Sequence, residues 1–264
     1  MIRVGVVSDI HANLAAFFTV LMEFQSNNID LLINLGDVVG YYSKPNEVLG
    51  LLAEYKEKGM YEAVMGNHDI SVCGFIYHEK FSSNFVASIG ESFLKSTNYN
   101  AQESWSWTIS VLDDKLSRIL LDETSKTIDI GGLRFHLVHG APYAMRGRLE
   151  DEVGYYLTPR QILKNKAALE NYFTEDSIDV LLTGHTHICH KTQIGNTMLM
   201  NPGSVGQPRD GDDRTSFLIL EIKDQEIKNV QLHRKPYMVS DRIPARFATS
   251  AEDNLLSGFN LQDF

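Results

Sequence analysis

The chain has 264 residues, 43% hydrophobic and 22% charged, and its 34 acidic residues outnumber 24 basic ones for a formal net charge of −10. That length supplies one large domain or two small ones with a substantial core, and the acidic balance excludes a broad basic footprint on a nucleic-acid backbone. No apolar run approaches the roughly 18–20 residues of a membrane span.

From the N-terminus, Ile2–Val7 is a short β-branched run that stops at Ser8-Asp9 and predicts a buried strand. Asp9 also interrupts the apolar stretch too soon for a secretion signal, so a soluble, cytoplasmic protein without membrane contacts is expected. Asn13 to Phe24 has helical spacing, with Leu14, Phe17 or Phe18, Leu21 and Phe24 on the apolar face. Leu31–Leu35 predicts a second strand ending at Gly36-Asp37, and a helix from about Pro45 to Lys58 follows. Tyr61–Met65 predicts a third strand, ending at Gly66-Asn67-His68-Asp69.

The middle, from about Phe75 to Glu123, reads as helices whose Phe81, Phe85, Phe93, Trp105 and Trp107 pack internally. Strands resume at Leu133–Val138, ending at His139-Gly140, and at Val180–Leu182, ending at Gly184-His185. Thr197–Met200, Ser216–Ile222 and Val230–His233 complete the set, and Tyr237–Phe264 shows no pattern. Alternating strands and helices predict parallel strands covered by helices, with ligands at the strands' carboxyl ends. Residues 1–236 are therefore read as one domain with a helical covering segment at 75–125, and 237–264 as a tail.

Polar groups collect at five strand ends: Asp9-Ile10-His11, Gly36-Asp37, Gly66-Asn67-His68-Asp69, His139-Gly140 and Gly184-His185-Thr186-His187. Carboxylate, imidazole and amide oxygen together suit divalent Mn, Fe, Zn or Ni. Asp9, His11, Asp37, Asn67, His139, His185 and His187 are too many for one tetrahedral ion and enough for two sharing a carboxylate. In Asp9-x-His11 and His185-x-His187 the side chains point the same way if the backbone is extended. Each residue has a plainer rival reading: Asp9 as a helix cap, Asn67 and Asp69 as turn residues, His139 as a core histidine. His136 reads as structural or partly exposed, while His78, His190 and His233 read as surface residues. Cys73 and Cys189 read as buried small apolar residues, since two cysteines make no disulfide framework.

SDIHANL, NLGDVVGY, VMGNHD, LVHGAP, LLTGHTH and MNPGSVGQPRDGD, in this order, resemble the calcineurin-like metallophosphoesterase superfamily, closest to its small bacterial YfcE-type phosphodiesterase branch. The resemblance runs from Ile2 to about Ile222. It implies an α/β fold, a four-layer α/β/β/α sandwich of mixed sheets with the metal site at strand carboxyl ends. It implies that Asp9, His11 and His187 hold one ion, that Asn67, His139 and His185 hold a second, and that Asp37 bridges them. His68 becomes the histidine near the leaving group, oriented by Asp69, and a hydroxide between two ions roughly 3.5–4 Å apart becomes the nucleophile. Manganese is the favoured metal, with Fe, Zn or Ni as alternatives.

The same resemblance places Asn201-Pro202-Gly203-Ser204 near the metals; Asn13 and Arg209 are candidate substrate contacts, ahead of Arg146 and Arg148. Protein phosphatases of the superfamily carry GDxVDRG and GNHE, with arginines that grip a phosphate dianion. Here GDVVGYY and GNHD lack those arginines, which favours a small phosphodiester over a monoester. A phosphomonoesterase and a non-catalytic metal-binding interaction module are the other two readings, and the oligomeric state stays open.

Overall fold

The run IRVGVV forms β1 (Ile2–Val7), whose alternate side chains enter two different cores: Val4 and Val6 on one face, Val7 on the other. A strand buried on both faces explains why the sequence shows an unbroken apolar run there rather than an alternating one. In this computed structural model, which describes residues 1–77 and 99–237, β1 is the centre of a five-stranded mixed sheet. It pairs in parallel with β2 (Leu31–Asn34), which pairs in parallel with β3 (Tyr61–Ala63). On its other side lie the antiparallel strands β9 (Thr215–Lys223) and β10 (Glu226–Lys235).

The second sheet contains β4 (Ser125–Ile130), β5 (Leu133–Val138), β6 (Val180–Leu182), β8 (Thr197–Asn201) and β7 (His190–Ile194), in that spatial order. Its β5–β6 and β6–β8 pairs are parallel, and its outer pairs are antiparallel. Val4, Val6, Ile33, Leu218 and Leu220 of the first sheet pack against Phe135, Leu137, Val180, Leu182 and Met200 of the second.

Helices cover both outer faces. α1 (Leu14–Ser26) and α2 (Pro45–Glu57) bury Phe17, Phe24, Val48, Leu49 and Leu52 against Phe217 and Ile219 of the first sheet. α3 (Asn67–Ile76), α4 (Tyr99–Val111) and a 3₁₀ turn at Leu116–Leu120 extend this layer. Over the second sheet lie α5 (Tyr143–Arg146), α6 (Asp151–Gly154), α7 (Pro159–Lys164) and α8 (Lys166–Glu175), where Ile162, Leu169 and Phe173 meet Val138, Leu181 and Leu199. The result is the α/β/β/α sandwich that the motifs imply.

β4 and β7 have no counterpart in the sequence reading. Both are edge strands with only their final residue fully buried, so SKTIDI and HKTQI carry little apolar signal. The four-residue helices α5 and α6 are likewise too short to show a period. Phe81, Phe85, Phe93, His78 and nearly all of the expected tail lie outside the described residues. Among the described residues no helix is long and apolar enough to cross a membrane.

Candidate metal centre

β1, β2 and β6 stop where the sequence turns polar, and the backbone after each enters the left-handed region. Asp9, His11, Asp37, His185 and His187 have φ of 53°, 52°, 55°, 63° and 57°. The extended backbone expected for Asp9-x-His11 and His185-x-His187 is therefore not what aims these pairs; tight left-handed turns do. Such conformations cost roughly 1–3 kcal/mol each and persist only where the surroundings over-determine them. Here the strand-end loops hold one another. Asp9 N–H donates to Gly36 O and His11 N–H to Asp37 O, each at 2.9 Å, and Ser204 Oγ donates to Asp9 O at 2.8 Å. Asn201 Nδ2 donates to Gly184 O at 2.7 Å, so the Asn201–Ser204 turn fastens the first and sixth strand ends together.

The donors converge on one buried point. His187 Nε2 lies 3.1 Å from Asp9 Oδ1 and 3.2 Å from His11 Nε2. His139 Nε2 lies 3.4 Å from Asp37 Oδ2 and 4.0 Å from Asp9 Oδ1. In each of the sets Asp9–His11–His187 and Asp37–His139–His185, the candidate ligand atoms lie within 4.8 Å of one another. Asp37 joins the sets, since Oδ2 is also 3.9 Å from His11 Nε2. Asn67 Oδ1 and His185 Nε2 are buried with no hydrogen-bond partner among the described residues. A buried polar atom left without a partner costs about 1–3 kcal/mol, and a cation would satisfy both. The residues present therefore fit divalent metal.

Backbone carbonyls set the imidazole tautomers. His11 Nδ1 meets Val39 O at 3.3 Å, His139 Nδ1 meets Leu35 O at 2.6 Å and His187 Nδ1 meets Gln207 O at 2.5 Å. With Nδ1–H donated outward, each ring in its neutral form directs the Nε2 lone pair at the centre, as metal-binding histidines do. Close approach also matters at Gly66, where a Cβ would lie 2.1 Å from Asp37 Oδ1. The absence of that Cβ lets Asp37 Oδ1 accept the His68 N–H at 2.8 Å, at the start of α3.

Packing so many ionisable groups together shifts them strongly. Burial alone would raise Asp37, but His139 and His68 outweigh it and hold the carboxyl well below its ordinary range. Burial would lower His139, but Asp37 and Asp9 push it up to about 9. His185 is driven down to about 3 by burial and by the charge on His139. Asp69 rises to about 7 through burial and the neighbouring Asp37.

Several sequence expectations change at this level. Asp69 does not orient the His68 ring: its Oδ1 accepts from Val38 and Val39 N–H, and its Oδ2 from Gly66 N–H, so it braces the Asp37 loop. The group on the His68 ring is Trp105, whose Nε1 donates to His68 Nδ1 at 2.8 Å, so Trp105 is more than helix packing. Asn13 caps α1 by accepting the Ala16 N–H, and its Nδ2 donates to Gly206 O and Tyr237 Oη. Cys189 is only half-buried and accepts from Arg234, whereas Cys73 is buried as expected. His136 is buried on β5 beside Thr127, and His190 is half-buried rather than on the surface. Arg146 and Arg148 pair with Asp151 and Glu150. Arg209 instead lines a 240 Å³ cavity over the centre, with Asp37, Tyr41, Asn67, His68, Trp105, Tyr156, His185 and His187.

Donors of this kind, gathered where two facing mixed sheets end, define a candidate metal-binding centre. The chain belongs to the calcineurin-like phosphoesterase superfamily, whose domain profile matches residues 2–225. Membership carries the coarse activity, phosphoester hydrolysis supported by divalent metal. Over 263 residues the chain is 29% identical to an uncharacterised protein of Methanocaldococcus jannaschii, across 91% of this chain and 93% of that one. A metallophosphoesterase of Sphaerobacter thermophilus superposes with a TM-score of 0.65 at 25% identity, covering 95% of this chain and 98% of its own. A hypothetical protein of Pyrococcus horikoshii shares the fold, with a TM-score of 0.73 at 16% identity over 99% of this chain and 96% of its own.

Proposed function

We propose that this protein hydrolyses a small phosphodiester with two divalent metal ions, manganese being favoured. The observation that carries the reading is the pair of buried donor sets joined by Asp37. Asp9, His11 and His187 would hold one ion, and Asn67, His139 and His185 the other, with Asp37 shared between them. Divalent ions held there would supply positive charge for the phosphoryl oxygens and would lower the pKa of a bound water.

The chain's own residues then position the ester. His68 lines the cavity beside Asp37 and offers a ring N–H to an ester oxygen. Tyr41, Trp105 and Tyr156 give the cavity aromatic walls that suit an apolar or planar ester group, and the Tyr156 ring lies 4.0 Å from His185. A second reading, monoester hydrolysis, is favoured by one feature, the Arg209 guanidinium at the cavity wall.

Turnover of bis-p-nitrophenyl phosphate against p-nitrophenyl phosphate by manganese-loaded protein tests the proposal, with His68→Ala as control. Faster diester cleavage that is lost in the variant supports it. Monoester preference moves the assignment to a phosphatase, and no His68-dependent turnover with any divalent metal leaves a non-catalytic binding module.

A further inference from the structure

The Trp105 contact fixes more than the place of a ring. Trp105 and His68 are 3% and 4% exposed, with ring centroids 5.3 Å apart and planes at 77°. An indole N–H can only donate. With Trp105 Nε1 donating to Nδ1 at 2.8 Å, Nδ1 must be the acceptor, and the ring proton sits on Nε2. Nε2–H is then the group that His68 offers to a ligand in the cavity.

Three surrounding features are arranged for this contact. A Cβ at Gly40, which has φ +92°, would stand 2.3 Å from His68 Nδ1, so only glycine leaves that nitrogen approachable. The Tyr41 ring packs 4.6 Å from the His68 ring, and the Tyr41 N–H donates to Ser104 Oγ. Ser104 and Trp105 are consecutive on α4, so the helix is tied to the loop after β2 and to His68 at adjacent positions. Asp69, the nearest carboxylate in sequence, is spent on backbone N–H groups and leaves the ring to Trp105.

We propose that Trp105 is a positioning residue that holds His68 as the Nε2–H tautomer, so that His68 acts on the substrate as a neutral hydrogen-bond donor. The proposal rests on the phosphoester-hydrolase reading of this cavity. The opposite tautomer would face the substrate with a lone pair, which repels an ester oxygen.

Two measurements test it. In zinc-loaded wild-type protein with ¹⁵N-labelled histidine, the His68 signals, assigned by their loss in His68→Ala, should show a protonated Nε2 and a bare Nδ1. A protonated Nδ1 overturns the proposal. Kinetically, Trp105→Phe removes the N–H and keeps an aromatic ring. It should lower kcat on bis-p-nitrophenyl phosphate about tenfold, with KM within about twofold and metal content unchanged. In the His68→Ala background the same substitution should change nothing further. An equal loss with and without His68 would mean a merely structural role. If wild-type protein cleaves no phosphoester, the hydrolase reading fails, and the NMR comparison of wild type with Trp105→Phe still decides whether Trp105 sets the tautomer.

Discussion

Asp37 Oδ2 stands 3.4 Å from His139 Nε2, with both side chains closed to solvent. Without bound cations this is a buried ion pair, and a metal arriving between the two must displace the proton on His139.

That displacement has a measurable sign. His139 moves from 6.5 up to about 9, because Asp37 overcomes the effect of burial. A group raised in the folded state stabilises fully below its unfolded value, and the benefit is lost as pH rises through the folded value. The melting temperature of metal-stripped protein should therefore fall between pH 6.5 and 9, and that of loaded protein should not follow it. Below pH 6.5 stability should fall again, as His68 and His185, held down near 4 and 3, are forced to charge. Calorimetric zinc titration at pH 7 in buffers of differing ionisation enthalpy should detect proton release. Uptake without release would contradict the pair.

Asp37→Asn keeps the shape of the side chain and removes the charge shared by both donor sets. Metal affinity should fall by about 10–100-fold or more, and turnover with it. Plasma emission spectrometry after dialysis reads the metal content. Two ions retained at normal turnover would show that Asp37 does not bridge.

Gly66→Ala places a methyl where the Asp37 carboxylate now sits, 2.1 Å from its Oδ1. Overpacking of this kind costs typically about 1–3 kcal/mol. Because the displaced group is a proposed ligand, metal affinity should drop together with the urea midpoint. A variant that loses stability alone would separate the turn from the centre.

Asn13→Ala should behave differently. Loss of a helix cap costs about 1 kcal/mol, and the two Nδ2 bonds add to it, so the thermal midpoint should fall by a few degrees. KM should stay unchanged, since both amide atoms are engaged within the chain. A raised KM at unchanged stability would return Asn13 to the substrate contacts.

The strand ends were legible because chemistry and secondary structure change at the same residue: Val7 gives way to Asp9, Leu35 to Asp37, and Val138 to His139. Left-handed backbone at Asp9, His11, Asp37, His185 and His187 was not legible, because Asp and His favour a positive φ only as a minority conformation. Loop-to-loop hydrogen bonds impose it. Trp105 was missed for a related reason. Its partner lies 37 residues away, and at helical spacing an indole looks the same whether its N–H is buried against a ring or against nothing. The capping role of Asn13 could have been read, since it directly precedes the helix and accepts the N–H three positions on.

The strand order carries a consequence for biosynthesis. β1 sits between β2 and β9, and its Val4–Val6 backbone is paired by Leu218–Leu220. His11 and His187, which meet at 3.2 Å, are 176 residues apart, and Ser204 fastens the Asp9 backbone from still later in the chain. A nascent chain therefore exposes Asp9 and His11 early and acquires the rest of the centre only when most of the protein has left the ribosome. Until then the first strand has an open edge, and the early ligands can bind stray metal only weakly. Metal binding at this centre would thus have to wait for the late stages of folding, when its distant parts meet.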